Sequence, residues 1–307
     1  MSSSATTQSH EQQVSRKGIA GLAPLGASCL WGGMYVVSKA SFANIPPVTL
    51  GLLRLLIGSI TLSILLWFAN RRRSKPAATS LSAQARKRLP WLGACIAISI
   101  ITQYLGANLA TAHEASLLTT MTPVFIIPIA WLLLGERPRI LVCIGMCVAL
   151  AGVSLIVGTQ DGGTHAPSLL GDAFLIITSL TWALFTVLGT PLVRKSSALV
   201  VTTYGTWWSL VFFAPFAAWE LFHHPIIHLS IESGASILYL GIAATALAWF
   251  LWYKGVERLP ASVAAVFFFA QSLVGSFLSA IFLHESLSTG FWIGGAVLAA
   301  GILLVSW

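Results

Sequence analysis

Two basic side chains sit where basic side chains are costly. Lys39 ends the run LWGGMYVVSK, and Arg54 interrupts the run PPVTLGLLRLL. A Lys or Arg deep in a membrane span costs about 2.5–3.5 kcal/mol on insertion scales and normally faces protein or water. Arg54 therefore meets a solute carboxylate, switches partners as an outer gate opens, or holds a fixed structural pairing. Lys39 has the first two roles open to it, or it lays its stem on apolar surface and lifts its ammonium to the interface. His113 and Glu114 follow at a similar level. A His titrates near neutral pH, so this pair is the candidate for proton coupling, against a plain loop pair with no such role.

A second set of residues suits a small amphipathic solute. Gln103 precedes Tyr104, and Tyr104 and Asn108 are spaced to share a helical face. Their polar ends need partners in hydrocarbon, so they face a neighbouring helix or a cavity. Tyr35, Trp182, Trp249, Tyr253 and Gln271 are the matching candidates in other runs. Aromatic walls with a few amides make such a pocket; the alternative for the tryptophans is an interfacial belt, the reading taken for Trp67, Trp207, Trp208, Trp219, Trp292 and Trp307. Pro123 and Pro128 remove backbone donors from one run, which predicts an irregular helix beside the pocket or a bent one that only packs.

Other signals are weaker. Cys143 and Cys147 share a helical face, but they and Cys29 and Cys95 fit small core residues. His223, His224 and His228 match no strong metal pattern, so no metal site and no cofactor are expected. Glu136 and Glu285 recur at the ends of corresponding runs; each is expected to cap the next helix, a role in coupling being the alternative. The chain has no P-loop and no GxSxG, and Asp172 has no second intramembrane Asp to form a catalytic pair. No enzyme is expected.

These residues need elements to hold them, and composition says which. The chain has 307 residues, 56% apolar and only 8% Asp, Glu, Lys or Arg. A soluble domain carries about 25% charged residues. A span needs roughly 20 mostly apolar residues, and ten apolar runs lie near 18–40, 48–69, 89–109, 115–134, 138–158, 169–189, 199–221, 233–253, 260–283 and 288–306. The fold class is an all-α polytopic membrane protein. Residues 1–17 read as a polar, disordered cytoplasmic tail.

The net charge of +8 does not indicate nucleic acid, because position explains it. With the N-terminus in the cytoplasm, alternate loops carry Arg16 and Lys17; Arg71, Arg72, Arg73, Lys75, Arg86, Lys87 and Arg88; Arg137 and Arg139; Arg194 and Lys195; Lys254 and Arg258. The other loops carry none. This alternation places both termini inside. The chain also repeats: Glu136, Gly145 and Gly152 correspond at one offset to Glu285, Gly294 and Gly301, and Trp31 and Trp182 occupy similar runs. The repeats are expected at 18–158 and 168–307. Five spans in each make the second copy inverted, a signature of transporters with a site near the midplane between repeats. The small-residue faces of the fifth and tenth runs suit a packed scaffold.

The runs LWGGMYVVSK, PPVTLGLLRLL and AHEASLLTTMTPVFIIPIAWLLLGE, with TWALFTVL and LPASVAAVFFFAQSLVGSFLSAIFLHE in the second copy, resemble the EamA-type members of the drug/metabolite transporter superfamily over nearly all of residues 18–307. The resemblance implies a ten-helix exporter of amino acids or related small metabolites, with a central cavity, in a bacterial-type inner membrane. The expected partners are a small-molecule substrate, the lipid bilayer and a coupling proton, with the chain a monomer or weak dimer. The alternatives are a drug or toxic-compound exporter on the same fold, or a membrane-embedded enzyme or receptor. The first span lacks the membrane Glu on which the superfamily's small multidrug exporters rely.

Overall fold

The structure, a computed structural model, describes residues 21–71, 81–110, 115, 118–158, 168–226, 229–283 and 289–306. Among them are helices and no strand. Helix α1 comprises residues 21–32 and Met34–Ser41, α2 Pro47–Arg71, α3 Ala83–Leu109, α4 Thr122–Leu134 and α5 Ile140–Gly158; α6 is Leu169–Lys195, α7 Ala198–His223, α8 Ile231–Val256, α9 Ala261–Phe267 and Ala270–Leu283, and α10 Thr289–Ser306. Five of these (α2, α3, α6, α7 and α8) are long and apolar enough to cross a membrane, and α4, α5, α9 and α10 are shorter apolar helices. Large apolar side chains face outward throughout, including Phe222, Leu169 and Trp91, and Trp67, Trp207, Trp208, Trp219 and Trp292 are exposed as a belt requires. Trp307 lies outside the described residues.

Local chemistry sets several helix ends. Ser82 and Ser168 accept the Ala85 and Gly171 amides at 3.1 Å, each closing an N-terminal turn. Gly135, at φ 68°, ends α4 in the left-handed conformation, and the Glu136 amide reaches back to Ala130 O. The start of α2 is held from a distance: the Val48 and Thr49 amides donate to the Glu220 carboxylate of α7 at 3.1 and 2.6 Å. An anion at a helix N-terminus meets the positive end of its dipole.

The most extensive helix contacts join the two halves of the chain: α5 with α10, α3 with α6 and α7, α2 with α7 and α8, and α4 with α6 and α9. Between α5 and α10 the backbones nearly touch, as the small-residue faces predict. A Cβ added at Gly152 would stand 2.5 Å from Leu298 N, and one at Gly301 would stand 2.7 Å from Ala149 N. An apolar cluster including Ala149, Val153, Val266, Phe269 and Leu298 seats this pair against α4 and α9. The cysteines depart from the expected burial: Cys29 and Cys147 are exposed and Cys95 and Cys143 half-buried, because a thiol, like any small apolar group, can face hydrocarbon.

Four of the helices that reach the centre are interrupted. The α1 axis breaks at Gly33, where the Tyr239 hydroxyl of α8 donates to Leu30 O at 2.7 Å. A turn at Met121 precedes α4, and α9 breaks at Phe268–Phe269. These last two breaks meet: Thr120 and Ser272 hydroxyls hydrogen-bond at 2.9 Å and the Gln271 amide donates to Thr120 Oγ1 at 3.3 Å. The irregularity expected of the fourth run is thus present, but Pro123 sits in the first turn of α4, where it breaks no bond; only Pro128 lies inside the helix. Residues Tyr239–Leu247 of α8 form a π-helix, a feature that often marks functional sites.

Candidate functional site

A small cavity lies at the seam of the two halves. Its lining includes Tyr35, Arg54, Gln103, Trp182, Trp249 and Gln271. The sequence nominated five of them for a cavity and Arg54 for an outer gate or charge pairing. Its volume of about 20 Å³ is little more than the ~10–15 Å³ one water needs. A solute the size of an amino acid enters only when these walls move apart.

The cavity's apolar wall is a stack of rings. Trp31 and Trp182 meet edge to face at 5.3 Å, Trp182 and Trp249 lie 5.5 Å apart, and Phe268 stands 5.4 Å from Trp31. Such pairs contribute about 0.5–1.5 kcal/mol beyond their burial. The Trp31 indole donates to Ala244 O at 2.9 Å. That carbonyl belongs to the π-segment, whose altered register lets it serve partners outside its own helix.

The polar wall centres on Arg54, which is 2% exposed. Its Nε donates to Thr245 Oγ1 at 2.6 Å and its Nη2 to Ala244 O at 3.2 Å. Its Nη1 reaches only Met34 Sδ at 3.0 Å and Gln103 Oε1 at 3.4 Å. The Tyr104 and Trp249 rings lie 6.0 and 5.9 Å from the guanidinium carbon. Every one of these partners is neutral, although a buried charge without a counter-ion costs several kcal/mol. Gln103 continues the network: its Nε2 donates to the Tyr35 hydroxyl at 3.0 Å, which donates to Thr119 Oγ1 at 2.7 Å.

Several buried donors around this cation have no acceptor among the described residues. They are the Trp182 and Trp249 indole nitrogens and the Tyr104 hydroxyl; Ser59 Oγ, on α2, is the other buried side-chain polar atom without a partner. An unsatisfied buried donor costs about 1–3 kcal/mol.

The remaining nominated residues are elsewhere. Tyr104 lines a smaller side cavity with Ser38 and Phe42. Tyr253 is fully buried away from the cavity, donating to Phe185 O at 2.8 Å. Asn108 is exposed; it follows Tyr104 on the helix face but lies at the end of α3, beyond the packed core. Lys39 is exposed and donates to Ala107 O and Ala110 O at 3.0 and 2.8 Å, a cation on the carbonyl end of α3. His113, Glu114, His228 and Glu285 lie outside the described residues. Trp31, Met34, Thr119, Thr122, Thr178 and Phe268 also line the cavity, and none was nominated. The repeated Trp at Trp31 and Trp182 was the signal available for the first.

At the expected cytoplasmic end a larger cleft of about 670 Å³ is bordered by Arg137, Arg139, Arg258 and Phe267. Phe268, one residue on, borders the central cavity. Arg194 of α6 donates to Glu136 Oε1 at 2.8 Å and to Leu259 O at 3.2 Å, while the Ala261 amide donates to Glu136 Oε2 at 2.8 Å. Glu136 therefore caps α9 in the other half, not the next helix in sequence as expected. One carboxylate clasps the ends of α4, α6 and α9. Among the described residues no group of three His, Cys, Asp or Glu side chains is arranged to hold a metal.

An apolar-skinned bundle of helices, with broken helices meeting at an aromatic and polar cavity, is the architecture of a multi-pass membrane protein. Residues 18–158 and again 169–307 match the EamA-like transporter family, and the chain belongs to it: a transporter, not an enzyme. It is 30% identical over 282 residues to the Bacillus subtilis (strain 168) protein named Uncharacterized transporter YetK, covering 91% of this chain and 84% of that one. An Archaeoglobus fulgidus protein named Uncharacterized transporter is 28% identical over 288 residues, 90% of this chain and 93% of its own. A Streptantibioticus cattleyicolor protein named Probable terminal-alkyne amino-acid exporter is 23% identical over 280 residues, 90% of this chain and 89% of its own. A solved crystal structure, 20% identical, superposes with a TM-score of 0.76 over 93% of this chain and 94% of that chain, and shares the fold.

Proposed function

We propose that this chain is a secondary transporter that exports amino acids or related small metabolites across a bacterial-type inner membrane. It works by alternating access, with two inverted five-helix repeats, 18–158 and 168–307, rocking about the central cavity. The observation that carries this reading is the cavity itself, walled by both halves and flanked by broken helices, with Arg54 buried against neutral partners. The Glu136 clasp on the expected cytoplasmic side supports a gate that must open for solute to enter from within. The name of the Streptantibioticus relative supports the substrate class. His113 and Glu114 are the proposed route for a coupling proton.

The test is flux in proteoliposomes loaded with labelled amino acids, amines and lipophilic cations, with and without a pH gradient. Saturable amino-acid flux, competed by its neighbours, is the expected result. Accumulation driven by the gradient adds proton coupling. Flux confined to lipophilic cations replaces this reading with a drug exporter.

A further inference from the structure

The proposed substrates carry both a carboxylate and an ammonium, but the cavity is equipped for only one of these. The buried groups of its lining that are left without a partner among the described residues are of a single kind. The Trp182 and Trp249 indoles can only donate, both are buried, both line the cavity, and neither has an acceptor among the described residues. Arg54 adds a permanent cation whose partners are all neutral. No Asp or Glu lines the cavity among the described residues.

The acceptors nearest Arg54 that an ammonium would need are already engaged. Gln103 Oε1 faces Arg54 Nη1, the Tyr35 hydroxyl accepts from Gln103, and Ala244 O already serves both Trp31 and Arg54. The ring faces offer a cation little, because Arg54 stands 5.9 Å from the Trp249 ring centre and repels a second positive charge there.

We propose that the cavity is a carboxylate site: Arg54 and the indole N–H groups of Trp182 and Trp249 bind the carboxylate of an apolar acid, and an α-ammonium group contributes nothing to binding. The inference rests on the transporter reading above and sets its substrate class as apolar monocarboxylates, the apolar amino acids being one subset.

The geometry shows how the anion is received. Nε and Nη2 of Arg54 are anchored to the π-segment of α8, but Nη1 holds a thioether and a long amide contact. A thioether is a weak acceptor, and a carboxylate oxygen replaces it with a charge-assisted bond. Gln103 is then released towards Tyr35. The apolar remainder of the solute lies along Trp31, Trp182 and Phe268, which must separate to admit it.

The test compares four probes of one skeleton: 3-phenylpropionate, L-phenylalanine, L-phenylalaninamide and 2-phenylethylamine. Each is titrated against the purified full chain in nanodiscs, read by melting temperature, and then used to compete flux. The acid and the amino acid are expected to raise the melting temperature with affinities within about tenfold of each other. The amide and the amine are expected to do nothing at 100-fold higher concentration. Trp249→Phe keeps the ring and removes one N–H; it is expected to weaken the acid about 5- to 10-fold. Arg54→Lys keeps the charge but loses the fork and is expected to cost more.

Binding of the amine or the amide as strong as that of the acid overturns the carboxylate site and leaves the transporter standing. So does an acid response that survives both substitutions. L-phenylalanine flux without any binding of 3-phenylpropionate shows that the ammonium is required, and overturns it too. Absence of flux for all four counts against the amino-acid reading, and the melting series still decides the carboxylate site.

Discussion

The α5–α10 seam and the ring of α1, α4, α8 and α9 bury polypeptide by opposite means. Along the seam two unbroken helices meet through Gly145, Gly152 and Gly301, with backbone against backbone. Around the cavity these four are interrupted, at Gly33, at Met121, across Tyr239–Leu247 and at Phe268–Phe269, while α2, α3 and α6, which also line it, are continuous. Close glycine packing admits one arrangement, because neither backbone can yield. Interrupted helices joined by exchangeable hydrogen bonds admit more than one. The comparison separates a part that must stay fixed from a part that can move.

The largest effect is expected on the fixed side. Gly152→Val places a Cβ and two methyls against Leu298 N and Gly294 O, 2.5 and 2.7 Å from the added Cβ. Backbone cannot step aside, so folded protein should be lost, read as monodisperse yield and melting temperature in detergent. A variant that melts like the parent removes the contrast. Arg54→Gln comes next, with flux expected to fall at least 50-fold and the melting temperature to fall much less than for Gly152→Val. A collapse of equal size would make Arg54 a structural residue.

Glu136→Gln is expected to loosen the clasp. Its partner Arg194 is 38% exposed, so solvent screening keeps the effect to about 1 kcal/mol. Thiol-reagent labelling of Ser262→Cys from the expected cytoplasmic side, with the native cysteines replaced, should rise about fivefold; an unchanged rate means the clasp gates nothing. The smallest effect is Tyr253→Phe. It removes one buried hydrogen bond, of about 1 kcal/mol, and should lower melting slightly while leaving solute KM unchanged. A changed KM would bring Tyr253 back into the site.

Much of this contrast was legible in the sequence, for identifiable reasons. The spacing of Gly145 and Gly152, echoed at Gly294 and Gly301, announced close packing because only small residues permit it. Arg54, Gln103 and Gln271 stood out because polar groups in apolar runs must find partners. What stayed hidden depends on contacts distant in sequence or on depth. Tyr253 sits four residues from Trp249, on the same helical face, yet one turn along an axis moves a side chain out of a cavity this small; Tyr104 and Asn108 lie further along α3 than Gln103, the residue that reaches it. Glu136 could be read as a cap, but which helix it caps is decided by how the halves interleave. Hydropathy carries no trace of the π-segment: YLGIAATAL has no proline, and its small apolar residues suit an α-helix equally well.

That segment makes the length of α8 itself a determinant of where its aromatic side chains point. A π-helix accommodates a residue more than the α-helical path needs. Straighten Tyr239–Leu247 to ordinary α geometry with every residue kept, and that extra residue becomes one more step of the helix. Everything beyond the segment then turns by about 100° relative to everything before it. Trp249 and Trp252, which stand in the tryptophan stack, would swing towards lipid without a single cavity residue having been changed, whereas deleting one residue of the segment along with the straightening would leave them facing the stack.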